Sequence, residues 1–130
     1  MFEISVEESF AAAHALRGYH GKCEKLHGHN YKVEVTLAGE QLDPTGLLVD
    51  FAELKRALRI VVERLDHRLL NEVPPFDEIN PTAENMARYF CQEIERTLSP
   101  TARGNGVRVS QVKIWETDTT AAAYRPLAEA

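Results

Sequence analysis

The chain of 130 residues has only two cysteines, Cys23 and Cys91. That is too few for the disulfide framework of a small secreted domain, and both thiols are expected to be reduced. There is no run of lysine or arginine, and a net charge of −5 offers no basic face to nucleic acid. No apolar stretch approaches the roughly 18 residues of a membrane span. The opening Met1-Phe2-Glu3-Ile4-Ser5-Val6-Glu7 alternates and is acidic, unlike a signal peptide. Internal repeats and low-complexity tracts are also missing. These absences point to a single domain over 1–130, cytoplasmic, with neither nucleic acid nor membrane as partner. The chain is long enough to bury a core without covalent staples.

What is present is a strong alternation. Phe2, Ile4, Val6, Glu8 and Phe10 predict a first strand running to Ala13 or His14, and Tyr31, Val33, Val35 and Leu37 predict a second that ends at Gly39. Asp50, followed by Glu53, reads as an N-cap in capping-box style for a helix over Phe51 to Leu65, with Leu54, Leu58, Val61, Val62 and Leu65 on one face. Pro74-Pro75 and Asn80-Pro81 prevent a continuous helix beyond it. Thr82 can cap a second helix that buries Ala83, Met86, Ala87, Phe90, Ile94 and Leu98. Ser99 to Gly106 reads as a loop. A third strand, with a switch of face near Gln111, ends at Trp115-Glu116-Thr117, and a short fourth covers Ala121 to Pro126. The expected architecture is α+β: a four-stranded antiparallel sheet with two helices on one face. Its open edges would need covering, and oligomerisation is one way to do so.

Five histidines carry the chemistry. His27 and His29 flank Gly28 in Cys23-Glu24-Lys25-Leu26-His27-Gly28-His29, so in a strand they point to one side. His14, at the end of the first strand among Ala11, Ala12, Ala13 and Ala15, is a third imidazole that strand pairing could bring to them. Three neutral imidazoles suit Zn²⁺ and leave a fourth position open, whereas Cys23 as fourth ligand would close the site. Cys91 reads as a small buried thiol, and His20 as a loop residue.

Phe10-Ala11-Ala12-Ala13-His14, the Cys-x₃-His-Gly-His stretch and Leu65-Asp66-His67 resemble the 6-pyruvoyltetrahydropterin synthase family. Asn80-Pro81-Thr82-Ala83-Glu84 and Lys113-Ile114-Trp115-Glu116-Thr117 are similar to its later blocks, in the same order. The short Cys-x₃-His spacing and Val49-Asp50-Phe51-Ala52-Glu53-Leu54-Lys55 resemble the bacterial branch, the 6-carboxytetrahydropterin synthases of queuosine biosynthesis. The resemblance implies a lyase acting on 7,8-dihydroneopterin triphosphate, with 6-carboxytetrahydropterin, acetaldehyde and triphosphate as products. It implies His14, His27 and His29 as zinc ligands, Cys23 as general base, and Asp66 with His67 as an acid–base relay. Glu116 is the implied anchor of the pterin ring, with Thr82 and Glu84 as further substrate contacts. It also implies a tunnelling-fold homohexamer of two trimer rings, with sheets joined into a barrel and active sites between subunits.

Other readings stay open. A pyruvoyl-forming synthase would use the same base and relay, and Glu24 keeps a side-chain-cleaving activity in view. A closed zinc site serving assembly is the non-enzymatic alternative. Thr82 reads first as a cap and Glu84 as an acid favoured by the helix dipole. Arg17, Lys22 and Lys25 are basic candidates for the triphosphate. Asp66 and His67 are neighbours, and side chains one apart in a regular helix diverge by about 100°. Either the helix ends by Asp66, or the pair serves a site from another direction, which is what the resemblance favours.

Overall fold

The computed structural model describes residues 1–18 and 25–126. Two long strands, β1 (Phe2–His14) and β2 (His27–Gly39), form its centre and pair antiparallel along their whole length. Val6, Phe10, Ala12 and His14 of β1 and Tyr31, Val33, Val35 and Leu37 of β2 are buried. The period of two read from the sequence therefore holds over both strands. Helix α1 (Phe51–Leu65) begins where the Asp50 carboxylate accepts from Ala52 N–H at 2.8 Å. Glu53 does not close a capping box; it accepts from Ser99 N–H at 3.1 Å and pairs with Arg56. The buried face carries Leu54, Ala57, Leu58, Val61, Val62 and Leu65. Each fully buried leucine there contributes about 1.5–3 kcal/mol.

After α1 the chain does something the sequence pattern does not reveal. Asp66 is already extended (φ −64°, ψ 131°), and His67 has φ 58°, a conformation that non-glycine residues rarely adopt. Its N–H donates to Ala11 O at 2.6 Å, and the next two residues, Arg68–Leu69 (β3), run parallel to β1. The expected sheet of four antiparallel strands is thus a mixed sheet of five, in the order β3-β1-β2-β4-β5. Two residues are too few to show alternation, so this strand left no periodic signal.

Helix α2 (Ala83–Thr97) starts at Thr82, whose hydroxyl accepts from Asn85 N–H at 3.1 Å. Pro100–Gly104, expected as loop, makes the short helix α3. Strands β4 (Arg108–Thr117) and β5 (Thr120–Tyr124) finish the sheet. The register of β4 against β2 shifts between Thr36 and Leu37, opposite Gln111 and Val109, where the change of face was expected. A second irregularity lies between Trp115 and Thr117 on the β5 side and leaves Glu116 as the extra residue. Both long helices cover one face of the sheet, α1 over β1 and α2 over β4 and β5. Phe10 stacks on Tyr31 (centroids 5.1 Å apart) and meets Phe90 of α2 at 5.8 Å. Cys91 is buried beside Phe90, and burial, with Glu95 adding, pushes its thiol up to about 11, so it stays protonated. Among the described residues, no helix is long and apolar enough to cross a membrane.

Candidate metal centre

Register alone builds most of the site. His14 stands directly opposite His27 in the β1–β2 ladder, and Ala12 stands opposite His29. All three imidazoles fall on the helix-covered face, next to buried Tyr31. Strand β4 adds the carboxylate of Glu116, which lies on the same face as buried Val112 and Ile114 at period two. The ligand atoms of His14, His27, His29 and Glu116 lie within 4.8 Å of one another. Among the described residues this is the one such cluster of three or more potential metal-binding side chains.

Backbone carbonyls fix which nitrogens are available. His14 Nδ1 is 2.7 Å from Pro81 O, and His27 Nδ1 is 2.7 Å from Lys25 O. A carbonyl can only accept, so both rings donate through Nδ1–H, and in the neutral rings each Nε2 keeps a lone pair. Those two Nε2 atoms nevertheless face each other at 3.0 Å. Glu116 Oε1 is 3.1 Å from His14 Nε2 and 3.1 Å from His29 Nε2. His29 Nε2 is buried and finds no hydrogen-bond geometry with any partner, the nearby carboxylate included. Burial holds the His29 imidazole below its usual pKa, outweighing the Glu116 charge, so the ring is kept neutral. Several electron-rich atoms therefore crowd one point. A proton could bridge one of these contacts but not all of them. A cation relieves every one, and the spacings are close to the roughly 3.3 Å between ligands held about 2.0–2.1 Å from tetrahedral zinc.

The surroundings keep this donor set in place. Tyr31 is fully buried with its hydroxyl 3.2 Å from His14 Nδ1, and burial, reinforced by the Glu116 charge, pushes its pKa up, so it remains a phenol. The Asn71 side chain brackets Ala15 through N–H and C=O, and Asn80 does the same to Arg17. Both fasten the chain just beyond His14. Tyr31 carried a readable signal, because it continues the His27, His29 face. The carbonyl contacts carried none.

The sequence profile of the family described as 6-pyruvoyl tetrahydropterin synthase matches residues 3–127. The chain belongs to that family. A 6-carboxy-5,6,7,8-tetrahydropterin synthase of Bacillus subtilis is 35% identical over 130 residues, covering 96% of this chain and 86% of the relative. A dihydroneopterin monophosphate aldolase of Pyrococcus furiosus is 36% identical, covering 87% and 88%. The 6-pyruvoyl tetrahydropterin synthase structure of Caenorhabditis elegans superposes with a TM-score of 0.85 at 31% identity, covering 97% and 96% of the two chains. The chain is therefore an enzyme of pterin-synthase type, and its fold is that of the family.

Within this pterin-synthase-family chain, the other expected site residues divide. Asp66 and His67 do form a pair, Oδ1 to Nδ1 at 2.9 Å, because the helix has ended and φ at His67 is positive. Asp66 Oδ1 also accepts from Ala11 N–H at 3.0 Å, the main reason its carboxyl lies below the usual range. His67 is 81% exposed, so little in its own chain confines it. It shares with His29, Gly28, Asn30 and Arg68 the lining of an open cavity of about 490 Å³. A larger cavity of about 740 Å³ lies at the far end of the sheet beside Arg56, Arg96 and Arg108. Arg56 and Arg96 are already paired there with Glu53 and Glu93. Of the metal cluster, His29 alone lines the smaller cavity. Thr82 is the helix cap, and Glu84 is exposed in the first turn of α2. Cys23, His20, Lys22 and Glu24 lie outside the described residues. Arg17 is no free phosphate ligand, since its guanidinium donates to the carbonyls of Asn71, Phe76 and Ile79.

Proposed function

We propose that the chain is a zinc-dependent 6-carboxytetrahydropterin synthase of queuosine biosynthesis. In this reading 7,8-dihydroneopterin triphosphate and one water become 6-carboxytetrahydropterin, acetaldehyde and triphosphate. The observation that carries it is the convergence of His14, His27, His29 and Glu116, whose ligand atoms lie within 4.8 Å of one another. His14, His27 and His29 would hold the metal. Bound there, Zn²⁺ would supply Lewis acidity towards a substrate oxygen. Cys23 takes a proton from a side-chain carbon of the substrate, as thiolate near neutrality when a cation lies close. Asp66 orients His67, so that the imidazole can pass a proton on. Glu116 accepts the two parallel N–H bonds that the aminopyrimidine edge offers, with Thr82 and Glu84 as further contacts.

The whole of 1–130 serves as one pterin-synthase domain. It works in the cytoplasm as a homohexamer of two trimer rings with sheets joined into a barrel. The exposure of His67 supports a site completed between subunits. The test is to incubate zinc-loaded protein with dihydroneopterin triphosphate and identify products by mass spectrometry. Acetaldehyde with the carboxypterin is the expected result. A hydroxymethyl-dihydropterin would favour the side-chain-cleaving reading, for which the Pyrococcus aldolase relative speaks. A pyruvoyl product would favour the third family activity.

A further inference from the structure

We propose that Glu116 is a fourth protein ligand of the resting metal centre and closes it until an incoming ligand takes its place. This deepens the metal-site part of the reading above and does not depend on which pterin binds. Three observations carry it. First, Glu116 Oε1 is 3.1 Å from two imidazole nitrogens, His14 Nε2 and His29 Nε2. That is the same spacing that separates His14 Nε2 from His27 Nε2, at 3.0 Å. The oxygen stands as one more member of the ligand set rather than beside it.

Second, between neutral rings and the carboxylate the contact is not a hydrogen bond. His14 spends its Nδ1–H on Pro81 O, so a neutral His14 presents a lone pair to the carboxylate. His29 Nε2 has no partner in hydrogen-bond geometry, although the same oxygen is 3.1 Å away. A carboxylate held against lone pairs is repelled unless a cation lies between them. Third, the position is built by the fold, because Glu116 follows buried Val112 and Ile114 at period two along β4, on the helix-covered face that also carries the imidazoles.

A carboxylate is suited to a temporary place. It is 29% exposed, unlike His14 at 1%, so it has room to swing outward. As a ligand its charge would lower that of the centre from +2 to +1, and its displacement would leave the three imidazoles and the full +2 charge to act as Lewis acid. A swung-out Glu116 is then next to the site with both oxygens free to accept N–H groups. One side chain would serve as ligand at rest and as anchor in the complex.

The test uses full-length protein without any pterin. Zinc affinity is measured by chelator competition for wild type, Glu116→Gln and Glu116→Ala, with circular dichroism as the check on folding. Both variants should bind zinc at least about tenfold more weakly. The visible spectrum of the Co²⁺-loaded protein should also change between wild type and Glu116→Gln. Affinities within about twofold and superimposable spectra would overturn the proposal. If the variants do not fold, the zinc-induced infrared difference spectrum of the wild type decides. It must contain the shifted carboxylate stretch of a liganding glutamate, and its absence overturns the proposal. Because no pterin is present, loss of synthase activity with these readouts intact would count against the proposed reaction alone.

Discussion

His14 Nε2 faces His27 Nε2 at 3.0 Å while the opposite nitrogen of each ring is committed to a backbone carbonyl, Pro81 O and Lys25 O. Two neutral rings held in this way repel, so the metal-free fold carries a stored cost that a divalent cation removes. Zinc at about 100 times its Kd should add about 2.7 kcal/mol to the stability of the chelator-treated protein. Thermal unfolding with and without zinc measures this, and an unchanged Tm would count against the site. His29→Ala should lose most of its zinc in elemental analysis, whereas a fully loaded variant would sink the ligand assignment.

Cys23 is expected to act on a proton and not on the metal. Cys23→Ala should keep its zinc and lose turnover by about 10²–10⁴-fold. Zinc content and single-turnover rate, measured on one preparation, separate the roles. Loss of zinc would instead make the thiol a ligand.

Asp66 ties the end of α1 to β1 through Ala11 N–H, and this bond holds its carboxyl below the usual range. The folded-state value therefore lies below the unfolded value of about 3.9. Its stabilisation is full above that value and is lost as pH falls through the lower, folded one. Asp66→Asn should remove this contribution. The difference in denaturant midpoint between wild type and variant should be constant near neutrality and shrink below about pH 4. A difference that does not vary with pH would show that the charge of Asp66 is not what stabilises the turn.

Arg17 looked from the sequence like a partner for phosphate, but it holds the 71–80 segment through three carbonyls. Arg17→Ala should cost about 1–2 kcal/mol of stability. Substrate KM should move little at a temperature where the variant is folded. A large rise in KM with unchanged stability would restore the phosphate role.

Local pattern made much of this molecule legible. The alternation around His27 and His29 placed both rings on one face, and the N-caps Asp50 and Thr82 are where the helices begin. The change of face near Gln111 is a real irregularity of the β2–β4 ladder. Less was legible where the signal was short or remote. Arg68–Leu69 is too brief to show a period, and the bulge at Glu116 depends on how β5 meets β4. The capping box is not made at Glu53 because its carboxylate is taken by Arg56, one turn on, and by Ser99 N–H, 46 residues away.

By itself the sequence determined four of the five strands, the two long helices and the common face of His27 and His29. These follow from periods of two and 3.6, set by backbone geometry within a few residues. Tertiary structure decided what those side chains meet. Register put His14 opposite His27, while packing brought the Pro81 carbonyl to one ring and the Glu116 carboxylate to the same point. Such contacts join residues up to about a hundred positions apart. Their distances depend on how whole elements pack, which no local period encodes.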